Sequence, residues 1–139
     1  MSQSNWQVHK FGGSSLADVA CFRRVAALVQ AEEGPRQAVV VSAMGGMTDA
    51  LLNLVRLAET DVSAIDPAID AIRERYRCTM KELLTSPKVC AELEAPWQDE
   101  LKDIADLLQA TALVGSAPQR TRDIVAGCGE LWSARLLAA

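Results

Sequence analysis

The first residues of this chain that could do chemistry lie in residues 7–15, QVHKFGGSS. A strand-like run ends at Lys10 and Phe11 and continues through Gly12 and Gly13 into two serines. Because glycines have no Cβ, the backbone can turn sharply here and approach a ligand closely. A helix that begins at this point presents unpaired N–H groups and about half a positive charge to an anion. With Lys10 beside it, the anion that we expect is a phosphate.

The residues after the glycine pair predict the helix. Ser15 and Asp18 have the spacing of a capping box, and apolar residues then recur at helical spacing from about Leu16 to about Glu32. The pattern differs from a Walker A loop, whose lysine follows the glycines, and from the Gly-x-Gly-x-x-Gly dinucleotide motif. An ordinary strand–turn–helix with Lys10 in solvent is the alternative interpretation of the segment alone.

A second strand and glycine pair follow in residues 37–48, QAVVVSAMGGMT. Its continuous β-branched run predicts a strand buried on both faces of a parallel sheet. Two such strands joined by a helix form a βαβ unit, so both glycine loops would lie at the carboxyl edge of the sheet, where ligands bind. One loop could hold a phosphate and the other, with Ser42 and Thr48, its acceptor. The simpler alternative makes Ser42 a turn hydroxyl and Thr48 a helix cap.

A third candidate is Glu130, which lies near the end of the chain. Gly127 and Gly129 predict that the helical pattern there is interrupted, with Glu130 at the start of the second piece. A glutamate in a first helical turn is favourable for the helix dipole alone. The functional alternative is a carboxylate that binds the amino group of a substrate.

The middle of the chain predicts a layer of helices without a site of its own. Helices are expected over about 49–59 and 67–84, then a short turn over 88–94, and a helix from Pro96 to Gly115. Asp66 would cap the second of these, with proline at its first position. The charged run 73–75 is expected to form exposed ion pairs.

Composition limits the function classes. The chain has 139 residues and a net charge of −4, and half of its residues are apolar, which suits one globular domain. Its scattered basic residues argue against a nucleic-acid partner, and no apolar run approaches the roughly 20 residues that span a membrane. The polar amino terminus does not resemble a signal peptide, so a cytoplasmic location is expected.

Four widely spaced cysteines and a single histidine predict free thiols rather than a zinc site. Cys21 and Cys78 are expected to be buried.

Three segments together resemble aspartate kinase, in the amino acid kinase family. They are residues 10–15 (KFGGSS), 41–48 (VSAMGGMT) and 129–136 (GELWSARL), and their order and approximate spacing also fit. The chain looks most like the kinase part of bifunctional aspartokinase–homoserine dehydrogenases, from about residue 8 to residue 139. The resemblance implies an α/β fold, namely the N-terminal part of a three-layer α/β/α kinase fold with parallel strands, crossover helices and a large helical insertion.

The resemblance also implies a phosphate site on the first segment. Lys10 would be the catalytic residue that contacts the transferring phosphoryl group, and the backbone of Gly12, Gly13 and Ser14 would line the ATP phosphates. Mg²⁺ is expected with ATP, although its ligands are not identified.

The other two segments would bind the acceptor. Ser42 and Thr48 would hold L-aspartate, and Glu130 would pair with its α-ammonium group. The reaction implied is phosphorylation of L-aspartate by ATP to 4-phospho-L-aspartate, the first step towards lysine, threonine and methionine. The partners expected are therefore these two substrates and other copies of the chain in a homo-oligomer.

The chain is shorter than the kinase domain that it resembles. Residues 1–139 are therefore expected to be an N-terminal fragment that lacks most of the nucleotide pocket, exposes a sheet edge, self-associates and is inactive alone. Two alternatives stay open: another amino acid kinase, such as an acetylglutamate or uridylate kinase, and a non-catalytic substrate-binding or assembly module.

Overall fold

In a computed structural model, residues 6–32 and 36–139 form a parallel strand pair and five α-helices. A one-turn 3₁₀ helix, Gly13–Leu16, follows the first strand, and a second one, Val62–Ala64, leads into the third α-helix. The strands and α-helices in chain order are β1 Gln7–Phe11, α1 Val19–Ala31, β2 Gln37–Val41, α2 Met47–Thr60, α3 Ile65–Leu83, α4 Pro87–Val114 and α5 Gln119–Ala138.

The two strands are joined by α1 and pair in parallel, with Lys10 opposite Val40, which confirms the predicted βαβ arrangement and its α/β class. The sheet is not buried on both faces. On one face Val39 and Val41 line a cleft of about 240 Å³ with α1 and α5. On the other face Val8 is 68% exposed and Val40 is 52% exposed. The prediction of a fully buried second strand is wrong because no layer of the described residues covers that face.

Helix α1 begins later than expected. Residues 13–16 tighten into a 3₁₀ turn, in which the amide of Ser15 donates to the carbonyl of Gly12 at 3.0 Å. Asp18 is extended and is itself the N-cap, since its carboxylate accepts from the amide of Cys21 at 2.9 Å, and this bond lowers the pKa of Asp18. The predicted capping box starting at Ser15 is therefore wrong. Gly34 and Pro35 predict the end of this helix, but they lie outside the described residues.

Two other predicted boundaries are also wrong. Helix α3 already begins at Ile65, so Asp66 lies in its first turn rather than at its cap. Helix α4 starts with Ser86 as N-cap and runs unbroken through Pro96, where a turn and a new helix were predicted. An interior proline costs a helix one backbone hydrogen bond. We attribute the continuity to packing, since Trp97 directly after Pro96 is 1% exposed in the core.

Helices α3, α4 and α5 are joined by an aromatic cluster. Tyr76 stacks on Trp97 with ring centroids 4.6 Å apart and lies 5.7 Å from Trp132. Burial raises the pKa of Tyr76 to about 12. Glu100 on α4 accepts from the indole of Trp132 at 2.7 Å and from Arg135 at 2.6 Å. These contacts fix the position of α5 relative to α3 and α4.

The four cysteines are free thiols. Cys78 is exposed and Cys21 is half-buried, so the prediction that both are buried is wrong. Within the two described ranges, no helix is long and apolar enough to cross a membrane.

Glu59 connects the end of α2 to the start of α5. Its carboxylate accepts from the amide of Ala117 at 2.8 Å and from the guanidinium of Arg122 at 2.7 Å. The Ala117 amide, and then Arg122, hold the pKa of Glu59 below its ordinary value of 4.5. A depressed folded-state pKa stabilises the fold above the unfolded-state value, and this contribution is lost as the pH falls through the folded-state pKa.

We therefore expect Glu59→Gln to lower the melting temperature at pH 7. The difference from the parent chain should shrink as the pH falls from about 4.5 through the folded-state pKa, because the carboxylate is protonated first in the unfolded chain and then in the folded one. Thermal unfolding between pH 7 and pH 3 measures this. Glu92→Gln is the matched control, since Glu92 is exposed and lies 3.8 Å from Lys88. A difference that stays constant over this range would contradict the assignment.

Candidate functional site at the sheet edge

The two glycine loops meet at the carboxyl edge of the strand pair. The amide of Ser42 donates to the carbonyl of Phe11 at 3.0 Å, which extends the parallel pairing by one step beyond β2. Gly12 follows Phe11 and Ala43 follows Ser42, and these two residues begin the two loops. The prediction that the two loops lie side by side at one edge is confirmed by this hydrogen bond.

The second loop also packs on the turn that follows the first. The amide of Gly45 donates to the carbonyl of Leu16 at 3.1 Å. A Cβ placed on Gly45 would lie 2.9 Å from the Cα of Ala17, so only glycine fits there without displacing backbone. The loop that contains Ser42 and Thr48 is thereby fixed relative to the loop that contains Gly12 and Gly13.

Ala43 is the point at which all three predicted segments converge. A Cβ placed on Gly13 would lie 3.6 Å from the carbonyl oxygen of Ala43. A Cβ placed on Gly129 would lie 2.8 Å from the Cβ of Ala43, so α5 approaches the second loop more closely than a side chain would allow. Glu130 is next to this contact. The segments 10–15, 41–48 and 129–136 therefore adjoin one another around Ala43, which is itself buried.

Helix α5 corrects the prediction for its glycines. Gly127 and Gly129 do not interrupt it, and Glu130 lies in its interior rather than in a first turn. Gly129 is present because α5 packs closely on Ala43, not because the helix ends. The helix-dipole explanation for Glu130 is removed, since the dipole acts on charges in the terminal turns.

Thr48 does not cap α2. Gly46 precedes the helix with φ of +73°, a left-handed conformation that favours glycine, and no side chain caps this end. The amide of Met47 donates to the carbonyl of Met44 at 2.8 Å, which closes a four-residue turn with Gly46 third. Thr48 lies inside the first turn of α2, so the helix-cap explanation of its hydroxyl is wrong.

The predicted side chains are available to a ligand. Within the described residues, no hydrogen bond or ion pair engages the side chains of Lys10, Ser14, Ser42, Thr48 or Glu130. Lys10, Ser14 and Glu130 are exposed, whereas Ser42 and Thr48 are half-buried. The region thus offers a cation, a carboxylate and two hydroxyl groups that are not engaged by other described side chains.

Lys10 lies on the open face of the sheet. His9 and Phe11 are on the opposite face, where their rings stack in parallel with centroids 6.4 Å apart. Lys10 pairs in register with the exposed Val40. The strand therefore carries its ammonium group to the edge of the sheet on the side that the described helices leave uncovered.

Sequence reasoning missed Arg75. Its guanidinium, on α3, donates to the carbonyl of Gly45 in the second loop. The prediction of exposed ion pairs over residues 73–75 holds for Arg73, which pairs with Asp70, but not for Arg75. No local signal separates the two arginines, because the contact joins residues 30 positions apart.

Two further chemistries are not supported by the described residues. Cys128, near Glu130, has a pKa raised chiefly by burial, and its thiol donates to the carbonyl of Ile124 at 3.4 Å. A catalytic thiol would need a lowered pKa.

In the part of the chain that the structure describes, no group of three or more His, Cys, Asp or Glu side chains could hold a metal ion, so no Mg²⁺ ligand is assigned.

Comparison with known proteins identifies the class of protein. Residues 5–139 match the amino acid kinase family, and the chain belongs to that family. Among curated relatives, it is 36% identical over 135 residues to bifunctional aspartokinase/homoserine dehydrogenase 1 of Arabidopsis thaliana, a match that covers 97% of this chain and 15% of that protein. It is 37% identical over 133 residues to bifunctional aspartokinase/homoserine dehydrogenase 2 of Escherichia coli, covering 96% of this chain and 16% of that one.

Solved structures agree with this assignment and with the predicted fold. The E. coli aspartokinase III complex with lysine and aspartate matches with a TM-score of 0.78 at 31% identity, covering 98% of this chain and 28% of that chain. The same enzyme in complex with aspartate and ADP gives the same TM-score over 96% of this chain and 28% of that chain. The chain thus has the fold of part of an aspartokinase and spans about a sixth of the bifunctional relatives described above.

Proposed function

We propose that this chain belongs to an aspartate kinase, which phosphorylates the β-carboxylate of L-aspartate with ATP. The carboxyl edge of its strand pair would provide the phosphoryl-transfer site and the acceptor site. One observation carries the proposal: Gly13 and Gly129 both approach Ala43, which brings the lysine segment, the hydroxyl segment and Glu130 together. Aspartokinase relatives whose structures contain aspartate and ADP support the choice of substrates.

The lysine side of the edge would act on the phosphates of ATP. The unpaired ammonium of Lys10 would neutralise charge that develops on the transferring phosphoryl group. The backbone of Gly12, Gly13 and Ser14 would line the neighbouring phosphates, since these residues lead from β1 into the 3₁₀ turn of residues 13–16. The protein would contribute positioning and electrostatics rather than a covalent intermediate.

The other side of the edge would hold aspartate. Its ammonium group would pair with the Glu130 carboxylate, and its carboxylates would accept hydrogen bonds from the hydroxyls of Ser42 and Thr48. These three side chains lack partners within the described residues, so binding would not require breaking an existing contact. The γ-phosphoryl group of ATP would then be transferred to an oxygen of the bound β-carboxylate, with ADP as the leaving group and Lys10 beside the transferring group.

The activity of the whole protein is part of the proposal. Two observations support a longer protein: the chain covers 28% of each aspartokinase III structure, and its sheet face at Val8 and Val40 is open. We propose that residues 1–139 are the N-terminal part of the kinase domain. Alone they would have no kinase activity, and the intact enzyme would be a homo-oligomer.

A test of acceptor use separates this function from that of other amino acid kinases. The intact gene product would be incubated with ATP and, in turn, L-aspartate, N-acetyl-L-glutamate or UMP, while ADP release is followed. We expect acceptor-dependent ADP release with L-aspartate, together with an acyl phosphate that hydroxylamine traps. Release with one of the other acceptors and not with L-aspartate would replace the proposed substrate. Robust turnover by residues 1–139 alone would contradict the proposal that this part is inactive.

A further inference from the structure

We propose that Arg75 is a positioning residue for the acceptor loop, residues 42–48, and that it acts by fixing the orientation of one peptide group. The inference rests on the proposed function for its kinetic consequence, but its structural part stands on the geometry alone. Arg75 does not belong to any of the three segments that meet at the sheet edge. It reaches the loop from α3, a helix that carries none of the predicted site residues.

The geometry of the loop shows why one peptide matters. Residues 44–47 form a turn closed by the Met47 amide and the Met44 carbonyl, with Gly46 third at φ of +73° and ψ of −1°. These angles are those of the third residue of a type II turn. Type I and type II turns differ in the orientation of their central peptide, which here is the one between Gly45 and Gly46. Flipping that peptide would reverse the directions of the Gly45 carbonyl and the Gly46 amide and would leave the Cα atoms on either side nearly in place.

Both ends of Gly45 are held by neighbouring elements. Its amide donates to the carbonyl of Leu16, in the turn after the phosphate loop, at 3.1 Å. Its carbonyl accepts from the guanidinium of Arg75. Arg75 therefore binds the carbonyl whose direction distinguishes the two turn types. In a trans peptide the N–H group points opposite to the C=O group, so this bond also directs the Gly46 amide away from α3.

Helix α3 contacts the loop at a second point one turn further along. The hydroxyl of Thr79 lies 3.7 Å from the sulfur of Met44, a residue that is 3% exposed. Residues four apart on a helix lie on the same face, so Arg75 and Thr79 approach the loop together. The buried contact at Met44 fixes the position of the loop against α3, whereas Arg75 fixes the orientation of the peptide between Gly45 and Gly46.

The consequence for aspartate follows from the position of the turn. It lies between Ser42 and Thr48, the two hydroxyl residues proposed to bind the same substrate. Without the bond from Arg75, α3 no longer holds the loop at Gly45, so the spacing of those hydroxyls would be fixed less firmly while Lys10 stays in place on β1. Loss of Arg75 should therefore weaken aspartate binding and leave ATP binding unchanged.

The test uses the intact gene product with Arg75→Met, which keeps an unbranched side chain without the donor, and Arg75→Lys, which restores a cationic donor. Arg73→Met is the matched control, since Arg73 is on the same helix and pairs with Asp70 rather than with the loop. We expect the KM for aspartate to rise about three- to tenfold in Arg75→Met, as for an exposed hydrogen bond from a charged donor. Arg75→Lys should recover much of this loss, with the KM for ATP unchanged in all variants. Equal aspartate KM values in Arg75→Met and Arg73→Met would overturn the kinetic proposal.

Amide hydrogen exchange without ligand tests the structural part independently of any activity. Amides of residues 45–48 should exchange faster in Arg75→Met than in Arg73→Met, while the core of α3 is unchanged. Equal exchange in both variants would overturn the role of Arg75 in holding the turn. If the gene product does not phosphorylate aspartate but the turn exchanges faster, the proposed function fails and the anchoring by Arg75 is retained.

Discussion

Adding one methyl group at Gly129 should destabilise the chain, whereas the same change at Gly127, on the same helix, should stabilise it. A Cβ at position 129 would lie 2.8 Å from the Cβ of Ala43 and 3.4 Å from a methyl of Leu51. The Cβ of Ala43 is attached to the backbone of the acceptor loop and cannot move aside by a rotamer change. A Cβ at position 127 would have no atom within 4 Å among the described residues.

The expected changes in the free energy of unfolding follow from the surroundings of the two added Cβ atoms. Overpacking a close contact costs about 1–3 kcal/mol, which exceeds the gain in helix propensity. Replacing an unhindered helical glycine by alanine contributes about 0.5–1 kcal/mol of stability. Urea unfolding of Gly129→Ala and Gly127→Ala, each against the parent chain, gives both free energies of unfolding.

This pair of variants also tests the position of α5. If the helix were interrupted at its glycines, as the sequence predicts, both substitutions would have similar effects. Opposite signs require that α5 is continuous and that Gly129 packs on the loop. Stabilisation by Gly129→Ala equal to that by Gly127→Ala would contradict the contact on which the site depends.

Replacing Lys10 by methionine should lower kcat of the intact gene product by about 10²–10³-fold, the loss typical of removing one preorganised donor from developing negative charge. The side chain is exposed on the open face of the sheet, and no carboxylate lies within 4 Å of its ammonium group among the described residues. The fold should therefore tolerate the change, and the melting temperature should stay within a degree or two of the parent value, as for typical surface substitutions.

Steady-state kinetics with L-aspartate and ATP measure this effect. Lys88→Met is the matched control because Lys88 is also exposed, on α4, and makes one ion pair with Glu92. Its kcat should equal that of the parent enzyme. If Lys10→Met kept more than a tenth of the parent kcat at an unchanged melting temperature, Lys10 would not be the residue that stabilises the transferring phosphoryl group.

The sheet edge could be predicted from sequence because its signals are local and consistent. Each strand leads into a loop that contains a glycine pair and hydroxyl residues, and two parallel strands joined by a helix place both loops at one edge. The parallel register of Lys10 with Val40 and the bond from Ser42 to Phe11 agree with that reasoning. Helical periodicity also identified α3, which is expected over residues 67–84 and observed over Ile65–Leu83.

What sequence reasoning could not supply depends on contacts between distant parts of the chain. Pro96 and Gly127 are local helix breakers, yet both lie inside continuous helices that tertiary packing stabilises. Gly129 indicates a close approach to Ala43, which no local pattern reveals. Arg75 differs from Arg73 only in that a carbonyl 30 residues earlier lies within its reach. Sequence reasoning therefore identified most of the helices and strands correctly. It misplaced some helix boundaries, and it missed residues such as Arg75 that hold the site from a distant element.

Mapping the aspartate site on the intact gene product is the measurement that tests the central claim most directly. Hydrogen–deuterium exchange would be compared with and without saturating L-aspartate, with D-glutamate as the control ligand. We predict slower exchange in the loop of residues 42–48 with L-aspartate alone, and no change in residues 98–112 of α4. Protection elsewhere in the protein that leaves residues 42–48 unchanged would contradict the assignment of the acceptor site to this edge of the sheet.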